Sequence, residues 1–132
     1  MIINNSSIAL FYYNFLQKSK IKDNYQLRAG FLDQIAHFTK FGLKSGDLGL
    51  IMMENVFFSF YINPKTNLRI VFKCDKIKYD YSKTIKKSLD ILAKKISDKF
   101  YDIFKQDLEK FDGNVSRFKA FNKTIEDIFS SK

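Results

Sequence analysis

At 132 residues and 15.6 kDa the chain has the size of one domain, residues 1–132. With 45% hydrophobic and 17% aromatic residues it can bury a single core, which excludes a disordered chain. One cysteine, Cys74, excludes an internal disulfide and a Cys-rich metal site and fits a reducing cytoplasm. The net charge of +9, from twenty Lys and three Arg against eleven Asp and three Glu, is spread along the chain, with no basic tail. So few arginines argue against a nucleic-acid reader, whose bidentate phosphate and guanine contacts use guanidinium groups.

Taken in chain order, residues 1–3 are apolar, Asn4-Asn5-Ser6-Ser7 are turn formers, and 8–16 are rich in aromatics and β-formers. This pattern predicts a hairpin. Its second strand does not alternate: Ala9-Leu10-Phe11-Tyr12-Tyr13 puts large side chains on both faces, so both faces are expected to be covered. Residues 18–23 read as a charged loop. Asp23 or Asn24 is then expected to cap a helix to Phe41, with Leu27, Phe31, Ile35 and Phe38 as its stripe and Gly42 as its stop. Gly30 inside that helix costs ~1 kcal/mol relative to alanine, which close approach to the sheet or to a partner would offset.

Residues 48–53, 56–62 and 68–75 predict three strands joined by Glu54-Asn55 and by the loop 63–67, an antiparallel meander. They too carry apolar residues on both parities, as a sheet between helix layers requires. Beyond them, Ile85, Leu89, Leu92, Ile96, Phe100, Ile103, Phe104, Leu108 and Phe111 recur at steps of three and four. A long amphipathic helix capped by Asp80 or Ser82 follows from that spacing. Asp112-Gly113-Asn114 ends it, and Phe118, Phe121, Ile125, Ile128 and Phe129 mark another helix. The apolar runs fall short of the ~20 residues a spanning helix needs, and no signal peptide precedes the first strand.

Few residues invite chemistry. His37, the lone histidine, falls between Ala36 and Phe38, where a partly buried structural histidine is expected rather than a catalytic one. Cys74 shares a strand face with Phe72 and Ile70 and reads as a small core hydrophobe. Asp98, Asp102 and Glu109 are interleaved with Lys94, Lys95, Lys99 and Lys105, as on a solvated ion-paired face. No glycine pair forms a phosphate-cradling loop. No catalytic residue, cofactor or metal site is expected. The densest basic segment, Lys73, Lys76, Lys78, Lys83, Lys86 and Lys87, is the one expected to contact an anionic surface.

The element order β-β-α-β-β-β-α-α resembles the longin, or SNARE-like, domain over nearly the whole chain. The start MIINNSSIALFYYNF is similar in layout to that of clathrin-adaptor small chains. YQLRAGFLDQIAHFTKFG resembles the first helix, and FDGNVSRFKAFNKTIEDIF the last, of archaeal longin-like proteins. The resemblance implies a three-layer α/β, profilin-like domain whose five-stranded antiparallel sheet has one helix on one face and two on the other. It also implies a non-enzymatic, cytoplasmic, in part membrane-peripheral platform for protein–protein interaction in vesicle trafficking or small-GTPase regulation. The partner would be a small GTPase, another longin-like or roadblock-like subunit, or a second copy in a homodimer. With no SNARE motif or lipidation cysteine before Lys132, a fusion role is not expected. The family's sheet order puts the second and third strands at the edges, so the expected interface combines Leu48, Leu50 and Met52 with Gly30, Gln34 and His37 of the first helix. Direct binding to anionic membrane or nucleic acid is the alternative, with nucleic acid the weaker part of it.

Overall fold

The computed structural model describes residues 1–13, 25–37, 40, 48–76 and 82–130. The described residues form five strands, β1 (Ile2–Ile3), β2 (Ala9–Phe11), β3 (Leu50–Met52), β4 (Val56–Ile62) and β5 (Arg69–Asp75), and three α-helices, α1 (Tyr25–His37), α2 (Lys83–Glu109) and α3 (Phe121–Ser130). All strand pairs are antiparallel, in the order β2-β1-β5-β4-β3. The sheet is open, with β2 and β3 at its edges. The predicted loop 18–23, the caps Asp23, Asn24 and Asp80, the stop at Gly42 and the stripe residue Phe38 lie outside the described residues, as do the side chains of Leu27 and Phe31 within α1.

The register explains why the strands carry apolar residues on both parities. Ile2, Ile70 and Phe72 face α2 and α3, while Ile3, Phe60 and Val71 face α1 with Leu32. Two cores result, one on each side of the sheet. A bulge between β1 and β2 turns both Leu10 and Phe11 toward the larger core and Ala9 toward the smaller one. That accounts for the lack of alternation in β2. Cys74 stands opposite Phe57 on the α2 side, on the same face as Phe72 and Ile70.

α2 starts at Ser82, whose hydroxyl accepts the Ile85 N–H at 3.1 Å. Its regular geometry breaks at Phe104 (φ −110°, ψ 18°) and the helix ends at Glu109, short of Phe111. Gly113 then takes φ +94°, a conformation that side chains disfavour, and Asn114 and Ser116 close the turn on the Asp112 and Asn114 side chains. A 3-10 turn at Ser116–Ala120, not foreseen from the spacing, precedes α3. It brings Phe118 onto Phe100 and Phe104, so that one aromatic cluster joins α2, the turn and α3. At the other end of the sheet the Met1 α-amine donates to the Val71 carbonyl at 3.0 Å, and burial lowers its pKa to about 5.

Lys86 is a structural tie rather than a surface charge. Its ammonium donates to Ser59 Oγ at 3.0 Å, the Phe60 carbonyl at 2.9 Å and Asp90 Oδ1 at 2.7 Å, using all three donors to pin α2 to β4. Lys86→Met should cost about 1–3 kcal/mol, because buried Ser59 and the Asp90 carboxylate lose their partner. Urea unfolding at low and high salt should return nearly the same loss. A loss that vanished in high salt would reduce the contact to an exposed ion pair.

Candidate functional site

β3 is held from one side. Leu50, Ile51 and Met52 stand opposite Ser59, Phe58 and Phe57 of β4, and among the described residues no strand pairs with the other flank. The turn that positions β3 is closed by the Met53 N–H on the Val56 carbonyl (2.9 Å), and the Asn55 carbonyl accepts from the Lys76 N–H (3.0 Å). Leu48 and Ile51 pack against the α1-side core. Leu50 and Met52 point to the α2 side; Met52 is 44% exposed, and Met53, next in the chain at the turn, is 53% exposed. An open flank of N–H and C=O groups beside two exposed thioethers can accept an extended chain, and methionine adapts its shape to varied partners.

The α1 half of the expected interface lies on the helix that covers the same side of the sheet as Leu48 and Ile51. Gly30, Gln34 and His37 share a helix flank with Asp33, whose carboxylate bonds to Ser7 and to Arg69 of β5. Among the described residues α1 meets β2 and ties to Arg69 of β5, and its Leu32 joins the core that Leu48 and Ile51 pack against. The two groups of residues thus flank one core, with Leu48 against the cluster that holds Leu32 of α1. Gly30 is half-buried, and a Cβ there would meet nothing within 4 Å. Of the two approaches expected to offset this glycine, to the sheet or to a partner, the one to the sheet does not occur among the described residues. His37 is exposed, not partly buried.

The six lysines expected to act together do not form one patch. Lys73, opposite Phe58, points to the α1 side of the sheet, whereas Lys83 and Lys87 are exposed on α2, across the sheet. Lys76 sits in the turn after β5, Lys86 is the tie described above, and Lys78 lies outside the described residues. Strand parity, invisible in a count of lysines, separates them.

Other candidate groups are occupied structurally. Cys74 is half-buried, and burial pushes its thiol pKa up, away from a reactive thiolate. It faces α2, across the sheet from the helix that carries His37, so no Cys–His pair forms. Asp98 accepts from Asn63 Nδ2 at 2.8 Å and Lys94 Nζ at 3.2 Å, and the Asn63 bond foremost pulls its carboxyl below the ordinary value of 3.8. With Lys95, Lys99 and Asp102 of α2 and Thr124, Asp127 and Ile128 of α3 it lines an open groove of about 530 Å³. Two lysines and three aspartates are interspersed there, so the groove carries no strong field of one sign for a charged ligand.

In the sequence Asn63 reads only as the first residue of the loop 63–67. It is buried, bonds to Ser97 Oγ and Asp98 through Nδ2, and accepts the Lys65 N–H on Oδ1. Among the described residues no group of three His, Cys, Asp or Glu side chains is placed to hold a metal ion, and no helix is long and apolar enough to cross a membrane. No protein-family model matches this chain, nor does any curated protein or solved structure.

Proposed function

We propose that the chain is a longin-like, non-enzymatic interaction platform, working as a subunit or regulator in a small-GTPase or membrane-trafficking-like assembly. The element order and the sheet order β2-β1-β5-β4-β3, with α1 against one face and α2 and α3 against the other, are compatible with that family. The observation that carries the reading is the open β3 edge with Met52 and Met53 exposed beside it. Strand addition at such an edge draws affinity from main-chain hydrogen bonds and specificity from alternate side chains. The partner is a protein: a small GTPase, a related subunit or a second copy.

Met52→Lys tests this, because it places a charge beside the edge at an exposed position and leaves both cores intact. Wild-type protein should associate, with itself in sedimentation or with a partner in affinity capture. The variant should keep its melting temperature and lose association. Retained association in Met52→Lys, or small-molecule turnover abolished by His37→Ala, would overturn the reading.

A further inference from the structure

We propose that the outer face of the N-terminal half of α2 docks on an anionic lipid bilayer. This goes beyond the platform reading and does not depend on the β3 edge. Charge is segregated along α2: residues 83–95 carry five lysines against Asp90 alone, and residues 96–109 carry two lysines against four acids. Asp90 is taken up by Lys86 at 2.7 Å. That leaves Lys83, Lys87, Lys94 and Lys95 exposed, with Lys94 also within 3.2 Å of Asp98. Ile91 stands among them, 65% exposed, with Lys87 one turn before it and Lys95 one turn after. Leu92, Ala93 and Ile96 are buried, so this crest turns away from the sheet.

Stability does not account for the arrangement. The macrodipole favours acids in the first turn of a helix, yet α2 has none there and has lysines instead. An exposed isoleucine ringed by lysines suits a surface that is negative outside and apolar beneath. The ammonium groups reach lipid phosphates while the aliphatic side chain enters the headgroup boundary. The convex crest and its flexible lysines favour a fluid array of headgroups over a shaped protein partner or a nucleic acid, for which arginine forks are the better donors.

Sedimentation with phosphatidylcholine vesicles, with and without roughly 30% phosphatidylserine, tests the proposal at low and physiological salt. Wild-type protein should bind the phosphatidylserine vesicles alone, and less as salt rises. Each lysine near such a surface multiplies partitioning about fivefold, so Lys83→Glu/Lys87→Glu should lower it about 25-fold or more. Ile91→Ser should lower it several-fold without altering the salt dependence. Lys119→Glu/Lys123→Glu, the same charge change at exposed positions of the 3-10 turn and α3, should bind far better than the α2 pair, with circular dichroism verifying each fold. Equal loss in both pairs would reduce the effect to net charge and overturn the proposal. So would absence of binding at low salt, or capture of a poly-glutamate peptide in place of vesicles.

Discussion

Phe100→Ala should destabilise the domain by about 3–5 kcal/mol, the range for emptying a buried aromatic site. Phe100 is fully buried, with ring centroids 4.9 Å from Phe104, 5.3 Å from Phe118 and 5.1 Å from Phe121. Phe121 in turn meets Phe11 of β2 edge-on at 5.3 Å. Removing the central ring therefore loosens α2, the 3-10 turn, α3 and the sheet together. The neighbouring rings cannot fill the space without leaving their own contacts. Domains of this kind are held by about 5–15 kcal/mol, so the loss is a large share of the total. It should appear as a drop of about 10–20 °C in melting temperature. Phe100→Leu, which refills part of the volume, should cost clearly less and supplies the measurement if the alanine variant does not fold. A loss below about 1 kcal/mol in Phe100→Ala would show that the aromatic cluster is not the centre of the larger core.

Asn63→Asp should be nearly as severe, at about 3–5 kcal/mol near neutral pH, because it leaves an uncompensated charge in a buried site. Asn63 is 1% exposed, and its Nδ2 donates to Ser97 Oγ and Asp98 Oδ1, both at 2.8 Å. A carboxylate there donates nothing and faces Asp98, a like charge. Asn63→Ala should cost less, about 1–3 kcal/mol, since Ser97 keeps its bond to the Ala93 carbonyl and Asp98 keeps Lys94. That order of severity separates a charge effect from simple loss of hydrogen bonds.

The pH dependence has a definite sign. In the wild type the Asp98 pKa is lowered, so its contribution is present in full above the ordinary 3.8 and is lost as pH falls through the lowered value. In Asn63→Asp the new carboxyl is buried beside Asp98, which raises its folded pKa above the unfolded one. Its penalty should therefore shrink as pH falls from 7 toward 4, when protonation removes the charge and restores a donor. Urea unfolding of both proteins across that range measures it. A difference that stays constant with pH would refute the charge account.

What spacing and turn chemistry encode was legible in the sequence. β4 spans Val56–Ile62 as its apolar run predicts, Ser82 caps α2, the Asp112-Gly113-Asn114 turn ends that helix, and strand residues of both parities meet helix layers. These are properties of a chain read over a few residues, where period and local hydrogen bonding decide the outcome. That β3 pairs with β4 and β4 with β5 was legible in their short joins. The edge position of β3 was expected only from the sheet order of the family that the element order resembles. Tertiary structure alone decided which polar groups meet. Lys86 finds Ser59, Asn63 finds Ser97 and Asp98, and Asp33 finds Ser7 and Arg69, pairs 26 to 36 residues apart. It also decided that Lys73 and Lys87 point to opposite sides of the sheet. Such pairings depend on helix rotation and strand register, which are set by how two cores of fixed volume close on the sheet, and no local pattern records them.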